Sequence, residues 1–222
     1  MRVGLAQKLV AEGVSTALLL ATVVGSGIMA ERLCGGNVGL ALLCNALATG
    51  AVLVALILTF GPISGAHMNP LVTLADARLG GTPWREVPGR LLVQIGGAVV
   101  GVGVADLMFG LPAYTLSSHD RHGLAQGLSE FVATFGLLAT VFGVSRSRPA
   151  ATPFAVGAYI TAAYWFTAST SFANPAVTLA RALTDTFAGI RFADVPAFVL
   201  AQALGAWAAM ALFGWLIPPE HT

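Results

Sequence analysis

Asn69-Pro70-Leu71-Val72-Thr73-Leu74-Ala75 and Asn174-Pro175-Ala176-Val177-Thr178-Leu179-Ala180 are the two stretches on which the reading of this chain turns. Each opens with an asparagine, whose side chain suits a helix N-cap. A proline follows at the first helical position, where a missing N–H costs nothing. One Asn-Pro is an ordinary turn signal. Two in one frame, differing only at Leu71 against Ala176, are a repeat. Working outward, Ser64 falls on Ser169. Pro88, Leu92, Gln94 and Gly97 fall on Pro196, Leu200, Gln202 and Gly205. Far upstream, Ala11-Glu12-Gly13-Val14-Ser15-Thr16 falls on Ser129-Glu130-Phe131-Val132-Ala133-Thr134. The chain is a duplication, with units of about 1–115 and 116–222.

The solvent of this chain is lipid. Of its 222 residues 56% are hydrophobic and only 9% charged, and the mean hydropathy is +0.81. Six apolar segments, at about 9–30, 38–60, 89–109, 124–144, 151–168 and 195–217, are each long enough to cross a hydrocarbon core of about 30 Å. They are expected as helices, because lipid cannot satisfy open backbone groups and the alternation of a barrel is missing. A net charge of +1 with no basic cluster excludes a nucleic acid partner. Cys34 and Cys44 have neither the count nor the spacing of a disulfide framework or a zinc site and are read as packing residues. No cofactor motif, metal cluster or nucleophile-and-base arrangement stands out, so neither a cofactor nor an enzyme is expected.

Three spans per unit is an odd number, so the second unit lies upside down relative to the first, an inverted repeat of the kind that builds membrane transport proteins. The two weakly hydrophobic stretches lie between the second and third spans of their units and therefore enter the bilayer from opposite faces. Each reads as a loop dipping inward, then a half-helix running back out over about 69–79 and 174–184. Non-helical backbone at that depth survives only when buried in protein or lining a watery cavity. Two helix N-termini meeting near the midplane place about half a positive charge each beside any path between them. With the N-terminus in the cytoplasm, Arg2, Lys8, Arg78, Arg85, Arg90, Arg146 and Arg148 lie inside while Arg32, Arg121 and Arg191 lie outside. This asymmetry places both termini in the cytoplasm of a multi-pass protein of the cell membrane.

These features resemble the aquaporin or major intrinsic protein family, an all-α membrane fold of six transmembrane helices and two re-entrant half-helices, each opening with Asn-Pro-Ala. The resemblance covers almost the whole chain: Glu12 and Glu130 in the odd spans, Ser64-Gly65-Ala66-His67-Met68-Asn69-Pro70 before one half-helix and Asn174-Pro175-Ala176 opening the other. It implies that Asn69 and Asn174 donate to solute oxygens while loop carbonyls accept from the solute in single file. It implies four bundles side by side, each with its own pore. An ion would lose its hydration shell there and meet the dipole ends.

The chain departs from the family pattern twice. Leu71 stands where Ala is usual and adds apolar bulk near the midplane. Val177 stands where the family usually carries an Arg that narrows the outer constriction and repels cations. Carrying the other constriction positions over by their distance from each Asn gives Thr49, Ala162 and Ser171. Thr49, Ala162, Ser171 and Val177 are all small and neutral, so a wide, uncharged filter is expected. The set resembles bacterial aquaglyceroporin relatives associated with arsenic handling. That resemblance implies passage of water, glycerol or urea, and trivalent metalloid hydroxides such as arsenous acid. A strict water channel is the alternative within the family. A proton-coupled secondary transporter, with Glu12 and Glu130 as coupling groups, is the alternative outside it.

Glu12 and Glu130 are read instead as braces for the exposed backbone of the re-entrant loops, and His67 as a loop brace or vestibule residue. Asp76 and Arg181 occupy matched positions in the half-helices. Arg181 stands one turn beyond Val177, about 6 Å along the axis. It is assigned to packing or ion pairing, with replacement of the absent filter charge as the sharper alternative. Gln94 and Gln202 are read as bonds between helices, and Gly97, Gly101 and Gly205 as points of close helix approach.

Overall fold

The computed structural model describes residues 3–216, and every regular element among them is helical. Arg2 and the last residue of the final expected span, 217, lie outside the described residues. The helices are α1 Leu5–Leu33, α2 Val38–Ser64, α3 Pro70–Arg78, α4 Val87–Met108, α5 Leu124–Ser147, α6 Thr152–Phe166, α7 Pro175–Arg181 and α8 Val195–Leu216. Single turns of 3₁₀-helix precede α4, α6 and α8. Helices α1, α2, α4, α5 and α8, with the preceding turns of α4 and α8, are long and apolar enough to cross a membrane.

The remaining expected crossing is α6, which has 15 residues. Alone it would reach only about 22 Å. The turn at Pro149–Ala151 lengthens it at one end, and at the other Thr167 leaves the helix in extended conformation. The half-helices also end earlier than expected. Helix α7 stops at Arg181 rather than near 184, because the amides of Ala182 and Leu183 fold back to the carbonyls of Leu179 and Ala180, three residues earlier. Ile190 then donates to the Arg181 carbonyl.

In lipid, apolar side chains gain little by turning inward, so close packing has to hold the helices together. Glycine provides it at three crossings. A Cβ at Gly97 would run into the Gly13 carbonyl, and one at Gly101 into that of Ala17, which seals α4 against α1. In the second unit a Cβ at Gly205 would strike the Phe131 carbonyl, sealing α8 against α5. Gly50 and Gly157 bring α2 and α6 together across the units in the same way. The largest apolar cluster gathers around this frame. It runs from Leu20 and Val24 of α1 through Met68 and Ala173 of the two loops to Val177 of α7.

Half-helices α3 and α7 meet at their beginnings. Asn69 Oδ1 accepts from Leu71 N at 2.9 Å, and Asn174 Oδ1 accepts from Ala176 N at 3.0 Å, so both are N-caps. Their Nδ2 atoms cross the interface: Asn69 donates to the Ala173 carbonyl at 2.8 Å and Asn174 to the Met68 carbonyl at 2.7 Å. This exchange clamps the two inverted units together at the centre. The fold is that of the aquaporins.

Candidate functional site: a cavity between the half-helices

A cavity of about 420 Å³ runs past both Asn-Pro junctions. At one end it is walled by His67, Asp76 and Arg146, and at the other by Thr49, Tyr164, Ser171, Val177 and Arg181. Leu19, Leu53, Leu137 and Ile160 supply apolar walls between them.

The two re-entrant loops give the cavity its polar track. Ala66 (φ 49°), Met68 (φ 50°), Ser171 (φ 51°) and Ala173 (φ 48°) are left-handed, a conformation that side-chain-bearing residues adopt at a cost of roughly 1–3 kcal/mol each. Something must hold them there, and the two buried glutamates do. Glu12 accepts from Ser64 Oγ at 2.7 Å, His67 N at 3.0 Å and Met68 N at 2.9 Å. Glu130 accepts from Phe172 N and Ala173 N, each at 2.9 Å. Both carboxylates are fully buried. Each is held in turn by a glutamine: Gln94 Nε2 lies 2.8 Å from Glu12 and Gln202 Nε2 lies 2.5 Å from Glu130. The same two amides also reach the hydroxyls of Thr73 and Thr178. The glutamates therefore occupy the bracing position, and neither is among the residues that line the cavity.

Bracing the amides frees the carbonyls. Among the described residues, the carbonyls of Gly65, Ala66, His67, Ser171 and Phe172 accept no hydrogen bond, and all five residues line the cavity. A primary amide has two N–H groups. Asn69 and Asn174 each spend one on the opposite loop and keep one, at the cavity's midpoint. A row of acceptors with two donors in its middle suits a solute that both donates and accepts.

His67 stands in the loop before α3. Its backbone is braced by Glu12, while its ring, 3.0 Å from the Thr73 hydroxyl, forms part of the cavity wall. Leu71 is buried and packs with Leu138, Phe142 and Ala206 rather than lining the cavity, so its extra bulk is absorbed by the α5 and α8 side. Pro70 and Pro175 stand at the first helical position, and Ala176 is fully buried behind Asn174.

Three of the four expected filter residues, Thr49, Ser171 and Val177, meet in one wall of the cavity. Ala162 does not: it is exposed on the outside of α6. The α6 side chains that reach the cavity are Val156, Ile160 and Tyr164. Two residues along a helix turn the side chain by about 200°, so a placement two positions early lands on the opposite face. Tyr164 fills the place instead, its hydroxyl 3.3 Å from Thr49 Oγ1. This corrects the expectation of four small side chains. The wall holds an aromatic ring, and the Val156, Ile160, Tyr164 spacing of four was the signal for it. Ser171 Oγ is buried without a hydrogen-bond partner among the described residues.

Comparison with known proteins agrees with this geometry. The Major intrinsic protein family profile matches residues 1–171. The chain is 53% identical to aquaglyceroporin AqpS of Rhizobium meliloti (strain 1021) over 217 residues, 98% of this chain and 93% of that protein. It is 32% identical to aquaporin NIP1-3 of Oryza sativa subsp. japonica over 211 residues, 91% of this chain and 72% of that protein. Among solved structures it resembles the aquaglyceroporin of Plasmodium falciparum, with a TM-score of 0.75 at 19% identity over 97% of this chain and 98% of that one. The chain belongs to the major intrinsic protein family, as a multi-pass membrane channel for water and small solutes.

Proposed function

We propose that the cavity is a passive pore for uncharged, hydroxyl-rich solutes of glycerol and urea size, for trivalent metalloid hydroxides such as arsenous acid, and for water. The observation that carries this reading is the pair of asparagines, each with one amide hydrogen committed to the opposite loop and one left at the cavity. A neutral polyol threading the pore exchanges its water contacts for loop carbonyls on one side and asparagine amides at the midpoint, so its desolvation is offset along the whole path. A metal ion finds, at the midpoint, the two asparagine donors where it needs acceptors. Arsenous acid is uncharged near neutral pH and has the shape of a small triol, so a pore fitted to glycerol does not distinguish it. The aquaglyceroporin name of the Rhizobium relative supports the same solute class.

In this reading Thr49, Tyr164, Ser171 and Val177 form the outer constriction, and the termini lie in the cytoplasm, so the Arg181 end of the pore opens outside. Four copies pack side by side, each with its own pore, through faces that include the exposed Leu40, Leu43 and Leu47 of α2.

Stopped-flow light scattering on proteoliposomes tests the solute range with water, glycerol and arsenous acid, for wild type and Val177→Arg. Wild type passes all three, and the Arg variant loses the larger solutes first. If wild type passes water alone, the solute range is wrong. Tyr164 favours that second reading, a strict water channel, because its ring narrows a mouth that four small side chains would leave wide.

A further inference from the structure

Position 177 carries no charge, yet the mouth beside it is not neutral. Arg181, one turn further along α7, is 2% exposed and lines the same cavity. Its Nε donates to the Ala188 carbonyl, and its guanidinium lies 3.4 Å from the centre of the Phe172 ring. Its two Nη groups make no hydrogen bond among the described residues. A second guanidinium, Arg121, lies 5.0 Å from the same ring and is tied down by the carbonyls of Gly189 and Ser169. No ion pair neutralises either one among the described residues. The nearby carboxylate, Glu130, spends its oxygens on the amides of Phe172, Ala173 and Gln202. At the repeat-equivalent place in the other half stands a carboxylate, Asp76, held by the Thr82 hydroxyl and 3.7 Å from the His67 ring. The pore thus has opposite charges at equivalent positions, one near each end.

A buried guanidinium stays protonated and needs compensation for lost water. The Phe172 face and the Ala188 carbonyl supply part of it without cancelling the charge. We infer that Arg181, steadied on Phe172 one turn beyond Val177, supplies the positive charge that keeps cations out of this pore, with Arg121 behind the same ring as a second charge. The inference rests on the channel reading above. It assigns the barrier to a residue set further out than position 177, which leaves the width at Val177 free for larger neutral solutes.

The test is K⁺ flux measured beside glycerol flux in the same proteoliposomes, for wild type, Arg181→Met, Arg181→Lys and the double variant Val177→Arg/Arg181→Met. Wild type passes glycerol and holds K⁺. Arg181→Met still passes glycerol and leaks K⁺ at least about tenfold faster, as expected for a unit charge removed beside a poorly solvated path. The Lys variant and the double variant, which keep or restore a cation, stay tight. Arg181→Met channels that pass glycerol and remain K⁺-tight overturn the inference, as does a K⁺-permeable wild type. Absence of both water and glycerol flux in wild type refutes the channel reading instead. Should Arg181→Met not insert, Val177→Glu neutralises Arg181 in place from four residues away. Its K⁺ flux must then rise with glycerol flux still measurable, and a tight Val177→Glu channel overturns the assignment.

Discussion

Replacing Glu130 by Gln changes one oxygen to an amide nitrogen and keeps the volume. The carboxylate accepts at 2.9 Å from both Phe172 N and Ala173 N, and at 2.5 Å from Gln202 Nε2. A carboxamide has one accepting oxygen, so at least one of these three donors must face another donor. A hydrogen bond to a charged acceptor contributes about 1.5–3 kcal/mol, and a buried donor left unpaired costs a further ~1–3 kcal/mol. The left-handed residues Ser171 and Ala173 then lose the brace that holds their strained backbone. The expected loss is about 3–5 kcal/mol, equivalent to a fall in Tm on the order of 10 °C for a domain of this size. Glycerol flux should collapse with it, whether or not a proton gradient is imposed. Glu12→Gln should behave alike, since Glu12 accepts from a similar set and lies 3.7 Å from Arg90. Thermal unfolding in detergent and light scattering in vesicles read both quantities. A Glu130→Gln protein that melts within about 2 °C of wild type and loses only gradient-dependent uptake would refute the bracing argument and revive a coupling role.

Four further outcomes follow from the same geometry. Tyr164→Ala opens the mouth opposite Thr49 and should raise glycerol flux roughly two- to fivefold. Ala162→Val, on the exposed face of α6, should leave flux unchanged. Gly97→Val drives a side chain into the Gly13 carbonyl and should cost at least about 1–3 kcal/mol or prevent insertion. Gly96→Ala, where a Cβ meets nothing within 4 Å, is its control, and yield of folded protein separates the two. Asn174→Ala removes the cap on Ala176 and the bond to the Met68 carbonyl. It should cost about 2–3 kcal/mol and reduce water flux, with Asn69→Ala giving a similar deficit because its bonds are equivalent.

Much of this architecture was legible in the sequence because lipid is an unforgiving solvent. Apolar length marks spans, and two Asn-Pro junctions inside a duplication have few structural solutions. The pairing of Glu12 and Glu130 with the loops followed from the repeat and from the cost of a bare carboxylate or bare backbone in the bilayer. Counting from Asn174 along the family pattern put Ser171 and Val177 on what is a wall of the cavity. Ala162 failed because nothing in the repeat anchors α6, and a helix punishes a two-residue error by reversing the face. The clustering of Arg181 and Arg121 on Phe172 was out of reach for a different reason. Arg121 and Phe172 lie 51 residues apart, and only the folded loops bring them together.

The central claim is passive conduction of neutral solutes past Asn69 and Asn174. Its most direct test is glycerol flux into proteoliposomes across a wide concentration range, with and without an imposed pH gradient. The account predicts flux well above empty vesicles, linear in the glycerol gradient and indifferent to pH difference. Flux no faster than through lipid alone, or saturable uptake that collapses with the proton gradient, would contradict it.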